Sequence, residues 1–328
     1  MTLVLAVPSK GRLEENARAF FDRAGLSLTR GRGARDYRGG VAGLGGLTVR
    51  YLSASEIARE LAAGSVHLGV TGADLIGETI PDADDAVVMA MPLGFGHADV
   101  VIAVPELWLD VDTMADLDDL SIVMRRRDGR IPRVATKYLN LTRRHFLTHG
   151  LAEHRDYQLS ESAGATEGAP ASGAADLIVD ITTTGSTLAA NGLKVLADGI
   201  ILKSEAHLVA ARRADWTVDA RATLKSLLDR VEAEARARAT REVRAVVSGS
   251  AKDAALAHFP AGALAHGSDD GTVEVVALVP ESEAFSQAAA LKKIGARHIS
   301  VRGVDYLLEP ENRIHDDLAA ALGWQAGS

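Results

Sequence analysis

Residues 176–187 read DLIVDITTTGST, and this stretch decides the fold. It begins with an apolar run, Leu177 to Val179, that is typical of a strand buried on both faces of a sheet. After Asp180 come hydroxylated side chains and Gly185, and the segment 188–193 that follows is helix-like. A buried strand that leads through a small-residue loop into a helix is the building unit of parallel α/β sheets.

The same unit recurs towards the amino terminus. Leu3 to Val7 form an apolar run that ends at the loop Pro8-Ser9-Lys10-Gly11-Arg12, and a helical pattern follows over 13–24. Two further extended stretches, 87–92 and 100–105, flank a glycine-containing segment, where we predict that the chain crosses between lobes. The alternation predicts two α/β lobes that face a cleft.

The carboxyl-terminal third differs in character. A polar helical stretch over 220–241 carries many Glu and Arg residues and predicts a connection between domains. Strand-like and helix-like segments then alternate, with a last strand expected near Tyr306, and this order predicts a small α/β sandwich of ferredoxin type. The predicted domains are a first lobe (1–97 with 186–212), a second lobe (98–185) and a carboxyl-terminal domain (213–328).

Length and composition limit the class of protein. At about 150 residues per domain, 328 residues predict two or three compact units. The net charge of -8, from 36 basic and 44 acidic residues, argues against non-specific binding to nucleic acid or to anionic membranes. The absence of cysteine excludes disulfides, thiolate nucleophiles and Cys-ligated metals. With no signal-peptide core and no membrane-spanning apolar run, we expect a soluble, cytoplasmic protein.

The loop after the strand at 177–179 has the chemistry of anion capture. Backbone N–H groups, hydroxyls and the start of a helix converge there, which suits a terminal phosphate without a basic side chain. Asp180, at the strand end, is placed to accept hydrogen bonds from sugar hydroxyls. A Ser/Thr-rich helix cap gives a similar pattern, but the density of donors favours a phosphate site. The loop residues are Thr183, Thr184, Gly185, Ser186 and Thr187.

Other charged residues follow predicted strands. Lys10 and Arg12 flank Gly11 and could hold a diphosphate, although exposed cations need no partner. Asp74 and Glu167 are loop carboxylates that could equally be helix caps or turn residues. The basic run 137–144 fits triphosphate recognition and a solvated helix face equally well.

Several familiar kinds of site are disfavoured. His145 and His149 share a helix face, but without an HExxH pattern or cysteine a zinc site is not expected. No P-loop, no GxSxG elbow and no GxGxxG after a strand is present, so P-loop ATPases, α/β-hydrolases and dinucleotide dehydrogenases lose support.

Taken in order, these segments resemble the ATP phosphoribosyltransferase family, which opens histidine biosynthesis. The resemblance covers most of the chain, and the tail is similar to the regulatory domain of the family's long form. The motifs that carry it are VPSKGRL at 7–13, GVTGAD at 69–74, RVAT at 133–136 with NLTR at 140–143, ATE at 165–167, and DITTTGST at 180–187 followed by ANGL at 190–193.

The resemblance implies a fold, a reaction and a set of site residues. The fold would be a two-lobed, type II periplasmic-binding-protein-like catalytic region with an ACT-like carboxyl-terminal domain. N1 of the ATP adenine would attack C1 of phosphoribosyl pyrophosphate (PRPP) and displace pyrophosphate, with Mg²⁺ on the diphosphate. Asp180 would hold the ribose hydroxyls, and the loop 183–187 would hold the 5-phosphate. Lys10 and Arg12 would face pyrophosphate or the ATP phosphates, and Asp74 and Glu167 would contact nucleotide or ribose.

The resemblance also implies regulation and assembly. Histidine would act as an allosteric inhibitor through the tail, and dimers would assemble into hexamers. This sequence departs from the family at Ser186, where many members carry a basic residue, and at His97, where Cys and Arg are common nearby. The segment 253–271 is longer than expected for the regulatory domain.

Two other functions stay open on the residues alone. A sensor or binding protein could use a two-lobed fold without catalysis, although the loop 180–187 suits a sugar phosphate better than an amino acid. A phosphoribosyltransferase with another base acceptor is disfavoured only by the family resemblance.

Overall fold

The computed structural model describes residues 2–31, 38–162, 164–259, 262–267 and 271–324. Three sheets, two of them with helices on both faces, confirm the expected mixed α/β class with two lobes and a small carboxyl-terminal domain. No helix within these ranges is long and apolar enough to cross a membrane.

Strands and helices are numbered separately along the described chain. The strands are β1 (Leu3–Pro8), β2 (Leu28–Arg30), β3 (Arg38–Val41), β4 (Leu44–Leu52), β5 (Leu68–Gly72), β6 (Val87–Pro92), β7 (Ala98–Pro105), β8 (Arg133–Thr136), β9 (Gln158–Glu161), β10 (Leu177–Thr182), β11 (Leu193–Ser204), β12 (Ala206–Ala211), β13 (Thr240–Ser248), β14 (Leu264–Gly267), β15 (Thr272–Pro280) and β16 (Arg297–Gly303). The α-helices are α1 (Gly11–Arg23), α2 (Ala54–Ala62), α3 (Ala73–Thr79), α4 (Ala83–Ala86), α5 (Met114–Asp128), α6 (Leu139–Thr148), α7 (Ser186–Ala190), α8 (Val218–Arg238), α9 (Lys252–Leu256), α10 (Glu281–Lys293) and α11 (Arg313–Ala321).

The first lobe is built on a seven-stranded sheet in the order β2-β3-β4-β1-β5-β12-β6. β1 pairs in parallel with β4 and β5, so the carboxyl ends of these strands lie at one edge. Alternate residues of β1 enter different cores: Leu5 packs with α1 and α8, whereas Ala6 packs with α2 and α3. This two-sided burial explains the continuous apolar run of the sequence.

The second lobe has a five-stranded sheet in the order β11-β7-β10-β8-β9. β8 pairs in parallel with β9 and β10, so their carboxyl ends also meet at one edge. α5 and α6 cover one face of this sheet, and α7 packs on the other. The chain enters this lobe through 93–97, between β6 and β7.

The strand pairing differs from the predicted domain division at the return to the first lobe. The prediction assigns 186–212 to the first lobe, but β11 pairs with β7 in the second sheet. Only β12 rejoins the first sheet, so the second crossing lies at Glu205, between β11 and β12. The apolar residues of β11 satisfy either sheet equally well, and the sequence pattern does not distinguish between them.

The carboxyl-terminal domain is a four-stranded antiparallel sheet in the order β14-β15-β13-β16, with α10 packed on one face. This strand order is that of a ferredoxin-like sandwich, as expected. The strand predicted near Tyr306 does not form. Within the long segment 253–271, positions 260, 261 and 268–270 lie outside the described residues.

Two helices of the predicted third domain pack on the first lobe instead. Leu224 and Leu228 of α8 belong to the same core as Leu5, and so does Leu318 of α11. The tail is held there by the rings of Trp216 and Trp324, whose centroids are 5.1 Å apart. By packing, the carboxyl-terminal domain therefore comprises the sheet and its helices, and the chain returns to the first lobe after it.

Candidate functional site

A cavity of about 440 Å³ lies at the edge of the second sheet where β8, β9 and β10 end. Carboxyl ends of parallel strands are where open α/β sheets bind ligands. The cavity brings together Glu167, Asp180 and most of the predicted phosphate loop. Its lining residues are Ala98, Lys137, Gly164, Ala165, Thr166, Glu167, Asp180, Ile181, Thr182, Thr183, Thr184, Ser186, Thr187 and Leu188.

The loop that follows β10 is shaped by its own hydroxyls. The N–H of Gly185 donates to Thr182 Oγ1 at 2.8 Å, and the hydroxyls of Thr184 and Ser186 are 2.9 Å apart. Gly185 has φ +73°, a left-handed conformation in which a side chain is strained. The exposed hydroxyls of Thr184, Ser186 and Thr187 therefore surround the start of α7 with groups that can donate to an anion.

Thr183 ties this loop to the crossing between the lobes. Its hydroxyl donates to the backbone carbonyl of His97 at 3.1 Å. His97 itself is largely exposed, and its Nδ1 lies 3.9 Å from Glu205 Oε2. The phosphate loop thus contacts the first chain crossing, at 93–97, directly through Thr183. Through the His97 side chain it also lies near Glu205, where the second crossing is.

Asp180 and Lys137 form the charged floor of the cavity. Asp180 Oδ1 accepts the N–H of Ile181 at 2.8 Å and lies 3.9 Å from Lys137 Nζ. Lys137 Nζ is also 5.0 Å from the ring centroid of Tyr138. Among the described lining residues Lys137 is the one basic side chain, and the same cavity contains the carboxylates of Asp180 and Glu167.

Glu167 is presented by a strained turn. It lies in a 3₁₀ helix, Thr166–Gly168, and the preceding Ala165 has φ 51°, which is unusual for a residue with a side chain. Thr166 is buried, and its hydroxyl donates to Ser162 at 3.0 Å, which holds the turn in place. Ala163, two residues before this turn, lies outside the described residues. Strain of this kind often accompanies ligand sites.

Lys10 and Arg12 lie on the other lobe and do not line the cavity. Both are exposed at the carboxyl end of β1, where α1 begins at Gly11 with φ +75°. Neither has an ion-pair partner in the described ranges, and α1 has no side-chain cap at Lys10. The two cations and the open start of α1 are therefore free to meet an anionic group.

Asp74 is placed between the lobes rather than in the cavity. Its Oδ1 accepts the hydroxyl of Ser204 at 2.9 Å, and its Oδ2 accepts the phenol of Tyr138 at 2.7 Å. Burial, with the neighbouring Asp74 carboxylate, raises the pKa of Tyr138, so the phenol keeps its proton and remains a donor. Both carboxylate oxygens thus have protein partners.

His145, in α6, and His149, directly after it, are packed against each other. The rings of His145 and His149 have centroids 4.8 Å apart, and burial, reinforced by His149, lowers the pKa of His145. No group of three His, Asp or Glu side chains with metal-binding geometry occurs in the part of the chain that the structure describes.

The sequence analysis included Lys137 and Tyr138 only as part of the basic run 137–144, and it did not single out Glu78. Lys137 had a usable signal, because it follows β8 directly, as the loop after Asp180 follows β10. Tyr138 and Glu78 contact residues more than sixty positions away, and no local pattern indicates such contacts.

Comparisons with known proteins identify the family of the chain. A family model described as "HisG: ATP phosphoribosyltransferase" matches residues 53–233. A protein named ATP phosphoribosyltransferase from Afipia carboxidovorans is 54% identical over 326 residues, which is 98% of each chain. Another of the same name, from Bradyrhizobium sp., is 53% identical over 324 residues, again 98% of each chain.

One solved structure gives the fold alone. The ATP phosphoribosyl transferase (HisG:HisZ) complex from Thermotoga maritima has a TM-score of 0.54 and 24% identity, and it covers 70% of this chain and 97% of its own.

The family model and the relatives define a glycosyltransferase that transfers a pentosyl group. Within that class, the chain belongs to the ATP phosphoribosyltransferase family of histidine biosynthesis.

Proposed function

We propose that the protein transfers the phosphoribosyl group of PRPP to N1 of the ATP adenine. The bond from C1 to the diphosphate oxygen breaks, the bond from C1 to N1 forms, and pyrophosphate leaves. The observation that supports this assignment is that Asp180, Glu167 and the hydroxyl-rich loop line the same cavity at the edge of the second sheet. Such a displacement depends chiefly on positioning the two substrates and on stabilising the charge of the leaving group.

The second lobe would hold the phosphoribosyl group. Thr183, Thr184, Gly185, Ser186 and Thr187 would cradle the 5-phosphate with hydroxyls and backbone N–H groups. Asp180 would accept hydrogen bonds from the ribose hydroxyls, because its carboxylate lies next to that loop.

Cations from both lobes would meet the other phosphates. Lys137 lies beside Asp180, so it is near the end of the ribose that carries the diphosphate. Lys10 and Arg12, exposed on the first lobe, would face the departing pyrophosphate or the ATP phosphates. Glu167 would contact the nucleotide or the ribose from its turn.

The residues present fit a substrate-bound Mg²⁺. This ion takes most of its ligands from phosphates and water, with one or two protein carboxylates, and Glu167 and Asp180 line the same cavity. Bound there on the diphosphate, Mg²⁺ would neutralise part of the charge on the leaving group.

Replacement of Asp180 tests the site. In Asp180→Asn the KM for PRPP should rise about tenfold or more, because charge-assisted hydrogen bonds to a substrate contribute about 1.5–3 kcal/mol. Initial rates of pyrophosphate release with ATP, PRPP and Mg²⁺ measure this, and Asp119→Asn on the exposed side of α5 is the matched control. A folded Asp180→Asn enzyme with an unchanged KM for PRPP would overturn the assignment.

Regulation by histidine and homo-oligomer assembly extend the proposal. The ferredoxin-like domain and its return connection to the first lobe provide a physical route from a bound effector to the catalytic lobes. Histidine in the millimolar range should lower the initial rate, and an absence of response would remove this part of the proposal. Light scattering after size-exclusion chromatography would give the oligomeric state, with dimers or hexamers expected and a monomer counting against it.

A further inference from the structure

The two lobes are joined by side chains as well as by their two chain crossings. α3 of the first lobe lies against α6 of the second, and three sets of hydrogen bonds cross between them. The guanidinium of Arg144 on α6 donates to the carbonyl of Gly77 on α3. The other two sets involve carboxylates of α3 and are more specific.

Glu78 caps a helix of the opposite lobe. Its carboxylate accepts the backbone N–H groups of Asn140 and Leu141, each at 3.0 Å, and the amide of Asn140 donates to the Glu78 carbonyl at 2.8 Å. α6 has no side-chain cap of its own at Tyr138. Two of the unpaired N–H groups that begin every helix are therefore satisfied here by the first lobe.

Asp74 forms the second set with Tyr138. Tyr138 is 1% exposed, and its phenol reaches out of the second-lobe core to Asp74 at 2.7 Å. Asp74 is held in turn by Ser204, the last residue of β11, which donates to it at 2.9 Å. A buried phenol without this acceptor would lose its only described partner, at a cost of about 1–3 kcal/mol.

This contact is directly linked to the cavity. Tyr138 follows Lys137, and the Lys137 ammonium lies over the Tyr138 ring. Loss of the Tyr138 hydroxyl would leave the ring beneath Lys137, and the loop 183–187 would keep its own internal hydrogen bonds, so the phosphoribosyl site would lose its tie to the first lobe but not its own contacts.

We propose that Asp74, Glu78 and Tyr138 form an interlobe latch, and that Tyr138 is a positioning residue for phosphoribosyl transfer. The inference rests on the proposed function, and it replaces the sequence prediction that Asp74 contacts substrate. The latch sets the distance between the cations of the first lobe and the phosphoribosyl site of the second. Catalysis is sensitive to such distances, since a misplacement of about 1 Å can cost about a hundredfold in rate.

Kinetics of the full chain separate the latch from a substrate contact. Tyr138→Phe and Glu78→Ala should lower kcat about tenfold and change the KM for PRPP by less than about twofold, because the phosphoribosyl site lies within one lobe. Glu78→Gln should restore most of kcat, because its amide oxygen accepts the same N–H groups. A rise in the KM for PRPP at unchanged kcat would overturn the latch and make Tyr138 a substrate contact.

The controls are matched within the second lobe. Tyr157→Phe alters another buried tyrosine of the same core, and Glu153→Gln removes a carboxylate that binds Arg143 of α6 from the same lobe. Both should leave kcat unchanged. If they lower kcat as much as Tyr138→Phe and Glu78→Ala do, the effect is loss of core stability and the latch is wrong.

A distance measurement does not depend on the reaction. The chain has no cysteine, so Arg59→Cys on α2 and Ala115→Cys on α5 give two exposed nitroxide positions, one on each lobe. Pulsed electron paramagnetic resonance should show a broader interlobe distance distribution in Tyr138→Phe than in Tyr157→Phe. Unchanged distributions would overturn the latch even if the enzyme is active, whereas broadening in a protein without transferase activity would refute only the proposed function.

Discussion

At the scale of single residues, the cavity has one described cation against two carboxylates. PRPP brings a 5-phosphate and a diphosphate, and the proposed phosphate loop 183–187 contains no basic side chain. Backbone N–H groups and hydroxyls bind a phosphate well but neutralise little of its charge. We therefore expect Lys137 to neutralise most of the substrate charge that side chains of this cavity can neutralise, which its place in a long basic run does not indicate.

Replacement of Lys137 should weaken PRPP binding. We expect Lys137→Met to raise the KM for PRPP about tenfold, from the loss of a charge-assisted contact, and to flatten its dependence on ionic strength. Lys137→Arg should retain most of the affinity. Initial-rate kinetics at two salt concentrations measure both effects, with Lys203→Met, exposed on β11, as control. An equal effect of Lys203→Met would show that net charge alone is responsible.

A second residue-scale prediction concerns acid stability. Burial and His149 lower the pKa of His145 below its usual 6.5, so the unfolded chain binds the proton more readily than the folded one. Stability from the neutral ring is present above pH 6.5 and is lost as the pH falls through the lower folded pKa. The thermal midpoint should therefore fall less on acidification in His145→Gln than in the parent.

The control for this prediction is an exposed histidine elsewhere. His258→Gln, in the carboxyl-terminal domain, should leave the acid dependence of the parent unchanged. Thermal melts at about pH 7.5 and about pH 5.5 compare the three proteins. Equal falls in the parent and in His145→Gln would contradict the expectation.

At the scale of elements, local sequence patterns predicted the strands and loops whose conformation is determined by residues adjacent in the chain. The strands β1 and β10 and the loops after them follow from apolar runs that end at polar, glycine-containing segments. The sheet to which β11 belongs and the partners of Asp74 depend on residues far away in the chain, so no local pattern specifies them. The sequence analysis treated 220–241 as a polar connection, whereas the structure packs its apolar positions 224, 227, 228 and 231 into the first-lobe core.

The turn at Gly185 provides an element-scale prediction. Gly185→Ala puts a side chain on a left-handed residue, which should lower the free energy of unfolding by about 1–2 kcal/mol and raise the KM for PRPP. Gly168→Ala is the control, since a Cβ there meets open space and the backbone is not left-handed. Urea unfolding and initial rates report the two effects. A Gly185→Ala protein as stable as Gly168→Ala would show that the turn adapts.

At the scale of the whole molecule, the helices on either side of the carboxyl-terminal sheet, α8 and α11, both pack on the first lobe. α8 packs into the core of that lobe and leads directly into β13. After β16 the chain returns, and Asn312 donates to Asp229 of α8 at 2.8 Å before α11 packs beside it. The carboxyl-terminal sheet is therefore inserted between two elements of the first lobe.

Core substitutions should separate the two units. Leu318→Ala removes a buried side chain of the first-lobe core and should destabilise that lobe by about 2–5 kcal/mol, although it lies near the end of the chain. Leu291→Ala, buried in the carboxyl-terminal core, should act on the small domain instead. Hydrogen exchange should then show faster exchange in β1 and β4 for Leu318→Ala and in β13 and β15 for Leu291→Ala. The reverse pattern would contradict the packing described above.

The two covalent connections of the small domain also have a kinematic consequence. A domain with one flexible connection can rotate about any axis, whereas a domain held at two points can rotate only about the line that joins them. The outgoing chain at Ala239 and the returning chain at Leu307, whose N–H donates to Ala233 of α8 at 3.0 Å, are those two points. Rotation of the domain about that line would leave the Leu307 hydrogen bond intact, whereas rotation about other axes would break it, and both attachments lie on α8.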